Sequence, residues 1–461
     1  MITFLREKSP RLDGVLAWTR RSTSGRIFRA MLTVGFFSIF VNIANFAKDV
    51  VVANSLGRGD QLDAFLVALA LPTFFVGLIG SAFNVAFIPT YIRVRERDGR
   101  GAAQRLLSSA LFVSVAALAL FGTILILIGP LILPLLGSGF GASKLALTRH
   151  LFTILSPILV LSAVFSIWSA VLEAGERFAL VALVPVLRPL AVILFLLLGF
   201  RYLGVRALAL GTSVGFALAL LPIGIALRAR GIHLLPRWHG LDEDLRQVIK
   251  QYLPMIAAVF MMSSTTLVDQ AMAGMLGSGS VATLNYANKL VSLILTLGGT
   301  ALGTAVLPQF SRLVAEGQWA EIRHVRKVYT IVILVASFLV VVGMVLLSEP
   351  LVRLFFQRGA FMHSDTVIVA KVQIAYCFQI PVYILSLMNV RLISALRANR
   401  FIMVISGCNV IVNVVFDYIF MKMFGVFGIA LSTTVVYSFG LSLSTIFILR
   451  TIKAKEGAQC A

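Results

Sequence analysis

Twelve stretches of the chain stay apolar for about 20 residues or more, the length a helix needs to cross a bilayer. They lie at roughly 31–48, 63–90, 106–134, 150–172, 179–200, 207–227, 251–275, 285–311, 328–348, 366–395, 401–421 and 427–449. The connections between them are short, so no sizeable soluble domain fits. Composition agrees: 59% of the residues are hydrophobic and 13% charged, where a soluble domain carries about 25%. The expected fold is an all-α polytopic membrane protein with about 12 transmembrane helices. Some thirty polar, basic residues precede the first stretch and no small-residue cleavage signal follows it, so it reads as a retained helix.

The net charge of +21 is unevenly placed. With the N-terminus inside, most Lys and Arg fall on the inner connections and the two tails. That is the positive-inside bias, and it gives N-in, C-in topology. The surplus is therefore topogenic, with membrane lipid head groups as its partners and no nucleic-acid role. The expected organisation is a basic cytoplasmic segment at 1–30, a six-helix lobe at 31–228, a cytoplasmic linker at 229–249, a second six-helix lobe at 250–450 and a tail at 451–461. Cys377, Cys408 and Cys460 have no paired spacing and imply neither a disulfide framework nor a metal site.

The two halves repeat. KDVVVANSLGRGD at 48–60 resembles VDQAMAGMLGSGS at 268–280, with Asp49 opposite Asp269 and the L-G-x-G turns in register. FIPTYIRVRERDG at 87–99 answers VLPQFSRLVAEGQ at 306–318, one residue out of step. LEAGERF at 172–178 answers LRANRF at 396–401, and LGVRALALGTSV at 203–214 answers FGVFGIALSTTV at 424–435. Six helices per repeat is an even number, so both halves enter the membrane in the same orientation. Parallel repeats of this kind face each other across a central cavity, as in parallel-repeat transporters.

Charges inside the spans point to that cavity, because an ionised side chain at mid-bilayer costs about 2.5–3.5 kcal/mol and needs partners or water. Asn42, Asn45, Lys48 and Asp49 fall within about 120° of one helix face. In the eighth span Asn285, Asn288, Lys289 and Ser292 form a second polar stripe. Lysines from opposite halves, flanked by amides, would suit an anionic ligand such as a phosphate or pyrophosphate. A local Lys48–Asp49 or Lys48–Asp63 pair and a snorkelling Lys289 are the bland alternatives. Arg188, between Pro185 and Pro189 in a segment that should kink, is either a third cationic contact or an anchor for the kink.

In the eleventh span Asn409, Asn413 and Asp417 recur at intervals of four on one face. Asp269 and Thr433 could converge with them. Carboxylates, an amide oxygen and a hydroxyl are hard ligands suited to Na⁺ or H⁺, so a coupling-ion site at Asp269, Asn413, Asp417 and Thr433 stands against simple interhelical hydrogen bonding. No cofactor is called for, and no metal beyond Na⁺ at that site. The five histidines are scattered, and neither a phosphate-binding glycine loop nor zinc spacing appears, which argues against an enzyme.

These residues resemble a known family. FAKDVVVANSLGRGDQLDAFLVALALP followed by AFNVAFIP is similar to the opening signature of the MviN/MurJ lipid II flippases. LGSGSVATLNYANKLVSLILTLGGTALGTAVLP is similar to the family's second-half pattern, and the likeness runs from about residue 35 to 450. The resemblance implies a MATE-like fold and flipping of undecaprenyl-pyrophosphate-linked saccharides across the bacterial inner membrane by alternating access. It implies that Lys48 stands for an essential arginine beside its acid Asp49, that Asp63 opens the second helix as in the family and joins them in the cationic substrate cavity, and that Lys289 stands for a cavity arginine. It also implies a cation site near Asp269, Asn413, Asp417 and Thr433.

The chain departs from the family pattern in several places. A first-helix arginine is Asn42 here, an Arg-Arg pair is Val76-Gly77, and the acid after it is Gly80. Lysine cannot fork onto a pyrophosphate as arginine does. The family also carries two more helices than the twelve counted. The expected cargo is lipid II or, better fitting these losses, a capsule or exopolysaccharide precursor, handed over by glycan-assembly enzymes. The main alternative is a cation-coupled multidrug or organic-cation antiporter of the same superfamily, which calls for an acidic cavity. A major-facilitator carrier is disfavoured by the L-G-x-G repeat, and a non-transporting scaffold would tolerate loss of Lys48, Lys289 and Asp269.

Overall fold

The computed structural model describes residues 23–460. Most of the expected basic segment at 1–30, and Ala461, lie outside these residues.

Apart from its connections the described chain folds into helices, since a backbone in lipid must satisfy its own hydrogen bonds. The first half contains α1 (Thr23–Leu56), α2 (Asp60–Arg97), α3 (Gly99–Leu136), α4 (Ala142–Leu155), α5 (Ile158–Ala174), α6 (Phe178–Leu183), α7 (Leu187–Leu203) and α8 (Val205–Arg228). The second contains α9 (Glu243–Gly274), α10 (Ser280–Ala315), α11 (Trp319–Leu346), α12 (Ser348–Phe356), α13 (His363–Cys377), α14 (Gln379–Ala395), α15 (Asn399–Phe424) and α16 (Val426–Cys460). Among the described residues ten spans are long and apolar enough to cross a membrane. The long helices α9 and α10 occupy the positions of the seventh and eighth expected spans.

Proline and glycine set the breaks. Ser156-Pro157 divides the fourth span into α4 and α5. The expected kink around Pro185 is a single 3₁₀ turn, Val184–Val186, between α6 and α7. The first helix is longer than its apolar run at 31–48 suggested. It continues through Lys48 and Asp49 to Leu56 because the apolar Val50, Val51 and Val52 carry it on, and it stops at Gly57, whose φ of +58° ends a helix. Lys48 therefore sits two turns inside the helix and not at its end.

The repeat is visible in backbone detail. Glu176 and Arg397, neither a glycine, both have φ of 58° in the turns after α5 and α14. In one turn Arg177 donates to the Leu172 carbonyl, and in the other Ala398 donates to that of Ile393. Gly204 and Gly425, with φ of +55° and +60°, join α7 to α8 and α15 to α16.

Three apolar cores hold the bundle. One joins both halves at the Gly57 end, combining Val52, Phe65 and Phe152 with Tyr286, Phe356 and Phe361. At the other end the halves have separate cores, one around Phe87, Leu107 and Ile223, the other around Phe310, Leu392 and Ile448. The lobes are thus fused at one end and distinct at the other. Helix α9 crosses between them: Leu245 and Val248 belong to the first half's core, while Asp269 bonds to α15 of the second.

The segment joining the lobes is extended and strapped to α3. Gln104 exchanges hydrogen bonds with the backbone of His233, Ser108 accepts from the Arg237 amide at 2.6 Å, and Ser109 accepts from that of His239. The strap ends at Asp242, whose carboxylate caps α9 by accepting from Leu245 N at 2.8 Å.

Candidate functional site

The polar faces of α1 and α10 meet. Asp49 accepts from Lys48 Nζ at 3.0 Å on Oδ1 and from Lys289 Nζ at 3.0 Å on Oδ2. One lysine is on each lobe, and the carboxylate between them is only 8% exposed. Both lysines are partly accessible. Two cations and one anion leave one positive charge, with donors that can turn to another acceptor. The local Lys48–Asp49 pair exists, but Lys289 from the opposite lobe shares the same acid.

Lys289 also lines a cavity of about 580 Å³ inside the second half, bounded by α9, α10, α13, α14, α15 and α16. Asn285 and Asn288 line it with Lys289, as expected from their stripe on α10. Among the described residues the first half contributes no lining residue, so the cavity they form belongs to the second lobe. Asn42 and Asn45 are half-buried on α1. Asn45 is occupied by its own helix, donating to the Val41 carbonyl at 3.0 Å.

At the far wall of the cavity Asn413 Nδ2 donates to Asp269 Oδ1 at 3.0 Å and to Asp417 Oδ2 at 3.2 Å. The expected cluster thus comes together on α9 and α15. Thr433 lines the cavity and bonds back to the Ile429 carbonyl at 3.4 Å. Its neighbour Ser432 on α16 is the hydroxyl that donates to Asp417 Oδ1. The sequence offers both hydroxyls in LSTTVV, and helix phase decides between them. Asp269 and Asp417 are two acids, and among the described residues no group of three or more His, Cys, Asp or Glu is placed to hold a metal.

Asp63 is not in the cavity. It is 1% exposed and accepts from Lys144 Nζ at 2.8 Å, Gly279 N at 2.7 Å and Ala282 N at 2.8 Å. Gly279, the N-cap of α10, has no side chain to satisfy the helix's first amides. Asp63 of the other lobe caps them in trans, beside the Lys144 ammonium. Around it the two repeat turns touch. Arg58 Nε reaches Asp365 Oδ1 at 3.1 Å, its Nη1 reaches Thr283 Oγ1 at 3.2 Å, and Ala360 N donates to the Asn54 carbonyl at 2.9 Å. A Cβ on Gly57 would run into the Ala360 carbonyl. Asp63, Arg58 and Lys144 are therefore a latch that closes the fused end.

Arg188 is stacked between Phe165 and Phe216, its guanidinium 4.5 Å and 4.1 Å from their ring centroids. Its Nε is buried without a hydrogen-bond partner. The guanidinium packs inside the first lobe, which fits an anchor for the kink, and among the described residues it does not share Asp49 with Lys48 and Lys289.

With this geometry in hand, the chain can be set beside known proteins. Residues 52–460 match the family model described as lipid II flippase MurJ. A probable lipid II flippase MurJ of Rhizobium meliloti is 27% identical over 399 residues, covering 84% of this chain and 74% of the relative. That of Thermotoga maritima is 26% identical over 428 residues, covering 91% and 83%. Among solved structures, a lipid II flippase MurJ in an inward closed conformation superposes with a TM-score of 0.80 at 22% identity, covering 90% of this chain and 87% of that one. An inward-facing MATE family multidrug transporter gives 0.75 at 12% identity, covering 93% and 99%. The fold is shared with both, and over most of its length the chain belongs to the MurJ lipid II flippase family.

Proposed function

We propose that the chain flips an undecaprenyl-pyrophosphate-linked saccharide across the bacterial inner membrane by alternating access, with lipid II or a capsule or exopolysaccharide precursor as cargo. Membership of a flippase family makes it a transporter and not an enzyme. The observation that carries the proposal is Asp49 held between Lys48 and Lys289 of opposite lobes. The carboxylate keeps the place of an anion. A pyrophosphate, with more charge and more acceptor oxygens, exchanges for it and engages both lysines.

The lobes at 31–228 and 250–450 are the moving bodies, joined through 229–249. The basic bias puts both termini in the cytoplasm, so the fused Gly57 end faces outward. One core across that end and two at the other support an inward-facing state with the outer latch closed. Outward opening then requires Asp63 to release the N-terminus of α10 and Arg58 to release Thr283 and Asp365. Asp269, Asn413, Asp417 and Thr433 supply hard oxygens for Na⁺ or H⁺, whose gradient drives the cycle. One net charge moved across 100 mV is worth about 2.3 kcal/mol. Glycan-assembly enzymes supply and consume the cargo on the two faces. A cationic drug, the cargo of the alternative antiporter, meets Lys48 and Lys289 at the same place and is repelled.

The test is rescue of a bacterium depleted of its own lipid II flippase. Growth restored by this chain and lost with Lys289→Ala supports lipid II as cargo. Failure to rescue, with membrane insertion confirmed, assigns the cargo to another lipid-linked glycan, to be read by exopolysaccharide export.

A further inference from the structure

Lys371 of α13 is a cation within a membrane span that the site between the lobes does not use. It is exposed, and among the described residues it forms no ion pair. Helix α11, packed against α13 and α14, carries no charged residue between Lys327 and Glu349 and so offers no counterion. An ammonium facing hydrocarbon is costly, and a lysine so placed turns its charge toward the head groups. Helical side chains lean toward the N-terminus of their own helix. That end of α13 lies at the fused end of the bundle, where Asp365 pairs with Arg58. Lys371 therefore leans toward the membrane surface on that side.

Seven residues further along α13, and so within about 20° of the same face, stands Phe378, which is exposed as well. Pro381 cannot donate to the Cys377 carbonyl, so the helix breaks at Phe378 and α14 begins. Beside the break is a crevice of about 530 Å³, between Phe378 and Pro381 on one side and Leu334, Val335, Phe338 and Leu339 of α11 on the other. Its lining is apolar throughout, and the four α11 residues are exposed where lipid would lie. Phe378 is at the middle of the 33-residue span His363–Ala395, which puts the crevice near the bilayer midplane. Lys371 is about 10 Å nearer the fused end, in a hydrocarbon layer whose half-thickness is about 15 Å. Its side chain thus reaches the head-group level above the crevice.

A polar ligand finds nothing to bond in the crevice, whereas an acyl chain fills it and buries its apolar surface. A membrane phospholipid has the matching shape, with a phosphate at the surface and a chain running to the midplane. We infer that α11, α13 and α14 hold one anionic diacyl phospholipid of the leaflet at the fused end, its phosphate on Lys371 and one acyl chain in the crevice at Phe378. Among the described residues none of these lines the cavity of the second lobe, so the site is separate from the lysine pair and independent of the cargo. The lipid fills the joint between α13, which carries the latch residue Asp365, and α14.

The experiment is lipid binding to the full chain, delipidated in detergent and followed by native mass spectrometry. The probes are dioleoyl phosphatidylglycerol, dioleoyl phosphatidylcholine, dioleoylglycerol and a polyprenyl phosphate. One phosphatidylglycerol is expected to bind about tenfold tighter than phosphatidylcholine, whose choline offsets the phosphate charge, and dioleoylglycerol more weakly still. Lys371→Gln should lower phosphatidylglycerol affinity about tenfold, and Lys371→Arg should keep it. Val335→Trp, which fills the crevice without changing charge, should lower it as well. Both positions are exposed, and melting curves without lipid check that the variants fold; Leu339→Trp replaces Val335→Trp should that fold poorly. Phosphatidylglycerol affinity unchanged in Lys371→Gln or in the crevice-filling variant means general annular lipid and overturns the site. A polyprenyl phosphate that binds the parent more tightly than phosphatidylglycerol overturns the diacyl assignment.

Discussion

Asp49 of α1 and Lys289 of α10 meet across the two lobes at 3.0 Å, and Lys48 shares the same carboxylate from its other side. The ion triad carries one surplus positive charge in a region where an unpaired ion is costly. Removing either lysine leaves Asp49 with one partner and the site with no net charge.

Lys289→Ala and Lys48→Ala are each expected to slow flipping about tenfold or more, since hydrogen bonds to charged groups contribute roughly 1.5–3 kcal/mol. Arginine at either position keeps the charge and adds a second donor, so Lys48→Arg and Lys289→Arg should retain activity. Initial flipping rates in proteoliposomes measure both; an alanine variant as fast as the parent removes the lysines from the mechanism.

The latch gives a conformational prediction. Asp63→Ala uncaps α10, at a cost of about 0.5–2 kcal/mol, and leaves Lys144 with Asp60 at 2.6 Å. The variant should populate states in which the Gly57 end is open. Cysteines placed at Asn54 and Ala360, whose backbones are hydrogen-bonded at 2.9 Å, should form a disulfide readily in the parent and poorly in Asp63→Ala. The same disulfide should stop flipping until it is reduced. Equal cross-linking in both backgrounds would show that Asp63 does not hold the gate.

Gly279 is fixed by geometry as well as by its neighbours. Its φ is +77°, and a Cβ there would lie 3.0 Å from the Arg58 carbonyl oxygen. Gly279→Ala should therefore destabilise the closed latch by about 1 kcal/mol or more, seen as faster labelling of a cysteine at position 360. Gly141→Ala, where nothing lies within 4 Å of the added Cβ and φ is −64°, is the control and should behave as the parent.

Two acids bridged by Asn413 should make flipping depend on the coupling ion. With Na⁺ and the proton gradient removed in turn, one of the two removals is expected to lower the rate in the parent. Asp269→Asn and Asp417→Asn should be slow under both conditions and insensitive to either ion. Parent rates unaffected by both removals would take the ion out of the cycle.

Arg188 separates packing from transport. Its guanidinium lies against two phenylalanine rings, contacts worth about 0.5–2 kcal/mol each. Arg188→Met should lower the melting temperature while the folded protein still flips cargo. Loss of flipping without loss of stability would return Arg188 to the substrate path.

Much of the fold was legible because membrane spans and their repeat are properties of short windows. Apolar length, the L-G-x-G turns and the polar stripes on α1 and α10 are all written locally. The same holds for Asn413 and Asp417, one turn apart on α15. Asp63 was misassigned because its partners are the backbone amides of Gly279 and Ala282 in the other lobe, and a backbone group has no sequence signature. Lys144 and Arg58 drew no attention for a related reason: on an outer connection a basic residue reads as solvated until a buried acid is placed beside it. The cavity's confinement to the second lobe was hidden as well, since the repeat suggests symmetry that the side chains do not keep. That Ser432, and not Thr433, donates to Asp417 was hidden too, because helix phase decides it by one residue.

The most direct measurement is the flipping of a fluorescent undecaprenyl-pyrophosphate-linked saccharide in proteoliposomes containing this chain. Flipping that is fast in the parent, lost in Lys289→Ala and restored in Lys289→Arg is the expected result. No flipping above empty liposomes, or flipping indifferent to Lys289, would contradict a lysine-bound pyrophosphate as the step that couples the lobes.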